Sequence, residues 1–372
     1  MQFKVFTDEF NYGLGMVTKA LPVRAYNQAT NCVLLETPDT GLRLTCTDGE
    51  ITIKANVDAE ILEDGCSLLP AKLLADLIRK QSAGEVAVKI DPEGKTNIRI
   101  HGSAINMLGM TAEDFPEISE VQPGNVIKLP CGRMREAISK VMFAVSSDES
   151  RKVLTGVLME TYRNETRFVC LDGYRLAMQC VEKENPVPDD KELIKAVVPG
   201  RVMSELSKLL PDNDDMDTTI TYNASHIMFE FGKVKLYASL LTGEYIDYKR
   251  ILPEKWTTEV NVDRQLFSRA IERCGVIASE GKNKLIYLSI ENGRMFMRSN
   301  AEIASVDEEI EISCVGESLR IAFAAGYMMD VIKNLSDDTF TLCFNSSVSP
   351  CVIKPAEGNS YLYLVLPVRT FQ

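Results

Sequence analysis

The chain has 372 residues, 45% of them apolar and 25% charged, with a formal net charge of −12 at pH 7. That length suggests two or three domains, each able to bury its own core, and no apolar run approaches the roughly 20 residues that span a bilayer. The acidic balance argues against tight phosphate binding, which draws on Lys and Arg, and the polar start, Met1 to Asp8, lacks a signal-peptide pattern, so a cytoplasmic protein is expected.

The first predicted element is an amphipathic helix with Phe10, Leu14, Val17 and Leu21 on one face. A strand, Cys32 to Glu36, follows. Leu42, Leu44 and Cys46 then alternate up to Asp48-Gly49, and Ile51, Ile53 and Ala55 alternate beyond it. Asp-Gly between alternating runs predicts a tight turn, because Gly accepts a positive φ. A second helix, Lys72 to Leu77, carries Asp76 with Arg79 three positions on, a spacing that puts acid and base on one helix face.

The same series then returns. Met134, Ile138, Val141 and Val145 make a helical stripe, Gly156 to Glu160 a strand, Asp172-Gly173 a turn, and Arg201 to Leu206 a helix with Glu205 and Lys208. It returns again with Leu266, Phe267, Ala270, Ile271 and Cys274, the strand Tyr287 to Glu291, and the helix Tyr327 to Ile332 with Asp330 and Lys333. Around Met297 to Asn300 the third copy has lost its Asp-Gly. Asp172 follows Asp48 by 124 residues, so the chain reads as three copies of one α+β domain: 1–123, 124–253 and 254–372. Proline beside polar residues, at Gln122-Pro123-Gly124 and Pro253-Glu254-Lys255, suits exposed links between them.

Searched for chemistry, the sequence yields no phosphate loop, no His-Glu-x-x-His and no Gly-x-Ser-x-Gly. The two histidines, His101 and His226, have no Cys or His at ligand spacing, and the ten cysteines contain no Cys-x-x-Cys pair, which fits reduced core thiols. The acidic run Asp212 to Asp217 lacks the Gly and terminal Glu of a calcium loop. No cofactor and no metal are expected. Asp48 and Asp172 are the carboxylates an enzyme would use, but in Asp-Gly turns they more simply serve the backbone. What stands out collectively is a set of basic residues off the apolar stripes, among them Lys72, Arg79, Lys80, Lys140, Arg201, Lys208 and Lys333. Three repeats could turn them one way, giving an acidic chain one basic face.

Three segments resemble a known family: Arg151 to Leu158 with Leu171-Asp172-Gly173-Tyr174-Arg175-Leu176-Ala177, then Gly243 to Pro253, and lastly Tyr363-Leu364-Val365-Leu366-Pro367-Val368-Arg369. They are similar to the bacterial DNA sliding clamps, the non-catalytic beta subunit of DNA polymerase III. The resemblance implies three clamp domains per chain and two chains closed head to tail into a ring. Helices would line the hole, with antiparallel sheets outside. It implies double-stranded DNA encircled without sequence preference, a clamp loader, and the polymerase alpha subunit or other clamp-binding proteins as partners.

The resemblance further implies a pocket for a short partner peptide that carries a Gln and a Leu-Phe-like end. Its wall would include Leu154, Gly173, Tyr174, Arg175, Leu176, Arg250, Ile251, Tyr327, Val348, Leu364, Leu366, Pro367, Val368 and Arg369. Ile105 and Met107 would meet Val276 and Ile277 at the ring joint, and Arg24 would join the basic residues that face DNA. Ile246, Ala324 and Pro350 depart from the usual family pattern, and the chain runs on past Arg369 to Thr370-Phe371-Gln372. Two other readings compete: a diverged duplicate clamp, and an enzyme on a β-rich repeat scaffold.

Overall fold

A computed structural model describes residues 1–24, 27–38, 41–118, 121, 124–183 and 195–370. The expected link residues Gln122 and Pro123 and the last two residues, Phe371 and Gln372, lie outside that set.

The first repeat runs β1 (Gln2–Phe6), α1 (Thr7–Val17), β2 (Cys32–Glu36), β3 (Leu42–Thr47), β4 (Ile51–Val57), β5 (Ala59–Glu63), β6 (Cys66–Pro70), α2 (Ala71–Arg79), β7 (Glu85–Ile90), β8 (Lys95–Ile100) and β9 (Ser103–Leu108). The second runs β10 (Asn125–Pro130), α3 (Cys131–Val141), β11 (Gly156–Thr161), β12 (Glu165–Leu171), β13 (Arg175–Glu182), β14 (Lys195–Pro199), α4 (Gly200–Leu209), β15 (Asp217–Tyr222), β16 (His226–Phe231) and β17 (Val234–Ser239). The third runs β18 (Thr258–Asp263), α5 (Arg264–Glu280), β19 (Leu285–Glu291), β20 (Arg294–Asn300), β21 (Ser305–Glu311), β22 (Ser313–Gly316), β23 (Leu319–Ala324), α6 (Ala325–Lys333), β24 (Thr339–Phe344), β25 (Cys351–Pro355) and β26 (Tyr361–Val365). The class is α+β, and all strand pairs are antiparallel.

The strands do not stay within their repeats. The first five-stranded sheet, β5-β1-β7-β8-β9, belongs to the first repeat alone. The next sheet, β10-β15-β16-β17-β4-β3-β2-β6, crosses from the second repeat to the first where β17 pairs with β4. The third sheet, β14-β11-β12-β13-β26-β25-β24-β18-β22, crosses from the second repeat to the third where β13 pairs with β26. The last sheet is β21-β20-β19-β23. Sheet sharing explains why three repeats fold into two compact units: Met1–Arg135 with Glu205–Leu240, and Glu136–Ser204 with Leu241–Gln372.

The expected stripes fill the cores, with corrections at their ends. Phe10, Leu14 and Val17 are fully buried, as are Met134, Ile138 and Val141. Leu21 and Val145 are not helical but extended, at φ −70°, ψ 139° and φ −65°, ψ 131°. For Leu21 the reason is Pro22, whose ring disfavours the helical region in the residue before it. Leu266, expected on the third stripe, is half exposed, while Phe267, Ala270, Ile271 and Cys274 carry the burial.

Both Asp-Gly pairs make the predicted turns. Asp48 Oδ1 accepts from the backbone N–H groups of Glu50 and Ile51, both at 2.9 Å, and Gly49 sits at φ +92°. Asp172 Oδ1 accepts from Tyr174 at 2.9 Å and Arg175 at 3.0 Å, beside Gly173 at φ +95°. In the third repeat a longer turn between β20 and β21, closed from Ala301 N–H to Ala304 O at 2.8 Å, replaces them.

Candidate partner-binding site

The residues expected to form a peptide site all fall within the second unit. Strand β13 begins at Arg175, directly after the Asp172-Gly173 turn, and pairs with β26 from Arg175–Val365 to Gln179–Tyr361. The chain leaving β26 stays tied to that turn, since Leu366 N–H donates to Tyr174 O at 2.9 Å. Two residues on, Val368 N–H donates to Ala322 O of β23 at 2.8 Å. These bonds tie the closing segment Leu366-Pro367-Val368 to the Asp172-Gly173 turn at one end and to β23 at the other.

Burial sorts the predicted wall into floor and rim. Leu154, Leu176 and Leu364 are 1–3% exposed and pack with Leu171, Tyr248 and Val352 in one apolar cluster, against which Leu366 is partly buried. They support the site from below. Tyr174, Ile251, Val348 and Val368 are exposed apolar side chains, the form of surface that anchors a partner's aliphatic or aromatic residues. Gly173, Arg250 and Arg369 are exposed, and Pro367 is half-buried. Arg250 pairs with Asp247 at 3.0 Å in open solvent.

Arg175 organises the polar part. Its Nε donates to Asp172 Oδ2 at 2.9 Å and its Nη1 to Asp330 Oδ2 at 2.5 Å. Its guanidinium lies over the Tyr327 ring at 4.7 Å and the Phe143 ring at 5.3 Å, a cation–π arrangement that favours a planar cation. Tyr327 in turn stacks on Tyr174, centroid to centroid 5.9 Å with planes 24° apart. Burial raises the pKa of the Tyr327 hydroxyl, and the Asp172 carboxylate adds to the shift. Arg175, Tyr327 and Tyr174 thus form one packed aromatic and cationic edge.

Sequence reasoning missed Asp330 and Phe143 as partners of Arg175. The helical spacing predicts Lys333 as the partner of Asp330, as Asp76 pairs with Arg79 at 2.7 Å and Glu205 with Lys208 at 2.8 Å. No periodic signal distinguishes an acid that turns to a distant arginine from one that serves its own helix.

The other predicted residues fall on separate surfaces. Arg24, Lys72, Arg79, Lys80, Arg201, Lys208 and Lys333 are exposed. Lys140 differs: its side chain is 17% exposed and its ammonium is held by Glu136 at 2.6 Å and Ser336 Oγ at 2.8 Å. Ile105 and Met107 are half-buried on β9, an outer strand of its sheet, and Val276 on α5 is 66% exposed beside half-buried Ile277. Among the described residues, no cluster of three or more His, Cys, Asp or Glu could hold a metal ion, and no helix is long and apolar enough to cross a membrane.

The sequence matches three domains of one family in succession: the DNA polymerase III beta subunit N-terminal domain over residues 1–119, its central domain over 128–247, and its C-terminal domain over 249–369. The chain belongs to the DNA polymerase III beta subunit family. It is 31% identical to a beta sliding clamp of Staphylococcus aureus, with both chains covered in full. The solved DNA polymerase sliding clamp of Bacillus subtilis superposes with a TM-score of 0.94 at 27% identity, and the polymerase beta subunit of Streptococcus pyogenes with 0.93 at 26%, each covering all of both chains. A member of this family has three clamp domains, and every repeat found in this chain is accounted for by one of them.

Proposed function

We propose that the protein is a DNA sliding clamp: a non-catalytic, head-to-tail dimeric ring that encircles duplex DNA and tethers the replicative polymerase and other clamp-binding proteins. The observation that carries this reading is the full-length correspondence with beta sliding clamps, repeat by repeat.

Strand pairing supports the ring. Inside the chain, the fourth strand of one repeat pairs with the last strand of the next: β4 with β17, then β13 with β26. The corresponding strands left over are β21 of the third repeat and β9 of the first, each at the edge of its sheet. An unpaired edge is a template for another chain. The β21 side carries Asp307, Glu308, Glu309 and Glu311, and the β9 side is neighboured by Lys89, Lys95 and Arg99. A second copy would complete the same joint in trans, with Ile105, Met107, Val276 and Ile277 beside it. Domain limits of 1–123, 124–253 and 254–372 follow the repeats.

DNA would be held topologically. Several helix cations are already matched: Arg133 by Asp214 at 3.2 Å, Arg79 by Asp76 and Lys208 by Glu205. A weakly basic lining of this sort keeps DNA near without gripping it. In this reading a clamp loader opens the joint, the site around Tyr174 and Leu366 receives partner peptides, and the protein works in the cytoplasm on the nucleoid. The test is retention on DNA after loading. A clamp stays on closed circular DNA and is lost once the circle is cut; equal retention on both forms would overturn the topological reading.

A further inference from the structure

Glu160, on β11, is the only charged residue among the described residues that is fully buried, at 1% exposure. A buried carboxylate persists only where hydrogen bonds and counter-charges satisfy it, and here they converge from two places. Oε2 accepts the Tyr248 hydroxyl at 2.8 Å and the Tyr162 hydroxyl at 2.9 Å. Lys195 Nζ stands 3.2 Å from Oε1, and Lys249 Nζ stands 3.6 Å from Oε2 while donating to the Tyr162 hydroxyl at 2.5 Å. The Arg167 guanidinium covers the Tyr162 ring at 4.4 Å.

Two of these partners, Tyr248 and Lys249, belong to the single 3-10 turn Tyr248–Arg250 that leads directly into Ile251. The turn's backbone bonds are local, from Arg250 N–H to Asp247 O and from Ile251 N–H to Tyr248 O. They fix its shape but not its place. Its place comes from the Tyr248 ring, buried in the cluster that holds Leu154, Leu176 and Leu364, and from the ties to Glu160. The exposed end of the turn then presents Arg250 and Ile251.

We propose that Glu160 is a positioning residue for the partner-peptide site: through Tyr248 and Lys249 it pins the turn that presents Ile251 and Arg250 to the peptide. This role rests on the peptide-site reading above. Glu160 itself touches no peptide.

The test is a double-mutant cycle on the full-length protein, read by fluorescence anisotropy with a labelled hexapeptide that contains Gln and ends in Leu-Phe. Glu160→Gln keeps the side-chain volume and removes the charge, and it weakens binding roughly three- to tenfold, within the range that coupled neighbours show. In an Ile251→Ala background the same change has less than a twofold further effect, because the contact it positions is already gone. An equal loss in both backgrounds would overturn the proposal and leave Glu160 a general stabiliser. Unchanged affinity of Glu160→Gln would overturn it outright. Lys249→Ala, a surface change that removes one tie, gives the same cycle should Glu160→Gln fail to fold. If the wild-type protein does not bind the hexapeptide, the peptide-site reading fails and this role fails with it. If the wild type binds and Leu366→Ala weakens it while the cycle is additive, only the positioning role fails.

Discussion

Asp330 takes its cation from Arg175, 155 positions earlier, and not from Lys333 on its own helix. That choice breaks the pattern kept by Asp76–Arg79 and Glu205–Lys208. It also clamps the first residue of β13 to the third repeat's α6, with Tyr327 filling the space between.

The two acids around Arg175 are not equivalent. Asp172 is 15% exposed and also caps its own turn, whereas Asp330 is 39% exposed and half screened by solvent. Asp330→Asn is expected to cost at most about 1 kcal/mol of stability, with peptide affinity changing less than threefold. Arg175→Ala loses both ion pairs and both ring contacts, and a peptide titration should show roughly tenfold weaker binding, in line with a desolvated cation–π edge. Equal effects of the two variants would mean that Asp330 alone sets the site.

The closing segment presents apolar side chains, half-buried Leu366 and exposed Val368. Leu366→Ala combined with Val368→Ala should weaken partner-peptide binding by about 1–3 kcal/mol for each lost contact. Sedimentation or light scattering should find the assembly unchanged, because neither residue lies on β9 or β21. Unaltered affinity in isothermal titration would remove this segment from the site.

The oligomeric state tests the joint directly. Two chains of 41.4 kDa give 82.8 kDa in light scattering on a sizing column at micromolar concentration, as a closed two-fold assembly requires. Val276 is 66% exposed in the single chain, so Val276→Asp should leave the fold intact and shift the mass towards 41.4 kDa. A dimer untouched by this change would place the joint elsewhere.

Glu160 also predicts a pH effect. Burial pushes its carboxyl pKa upwards, but the hydrogen bonds from Tyr248, Tyr162 and Lys195 outweigh it and hold the group below its ordinary value of 4.5. A depressed folded pKa contributes stability that is present above the unfolded value and lost as pH falls through the folded one. Wild type should therefore be more stable than Glu160→Gln at neutral pH, by about 1–3 kcal/mol for lost charged hydrogen bonds. In thermal melts the gap should close below about pH 4.5. A gap independent of pH would mean that the ionised form is not what the network holds.

Much of this was legible in the sequence because it is local. Asp-Gly turns, apolar stripes such as Phe10-Leu14-Val17, and acid–base spacing within a helix all depend on neighbours a few positions apart, and the threefold repetition reinforced each one. The helix ends were less legible, since Leu21 and Val145 continue the apolar spacing after the helix has stopped. Leu154, Leu176 and Leu364 share one buried cluster with Leu366 packed against it, yet a motif does not separate buried residues of this kind from exposed ones. The Arg175–Asp330 pair and the tie from Glu160 to Tyr248 were illegible because their ends lie 155 and 88 positions apart, with nothing periodic to connect them.

The repeats that organise the sequence are not separable pieces of the molecule. The seams at β4/β17 and β13/β26 run through the middle of continuous sheets, five residue pairs each. Cutting the chain at either repeat boundary would therefore tear a sheet lengthwise and leave two raw hydrogen-bonding edges, the kind that aggregate. A fragment holding only the third repeat would lack the strand that covers β26. For such a protein, a repeat added by duplication needs a neighbour able to cover its open strand, so the number of copies cannot change without a partner for each new edge.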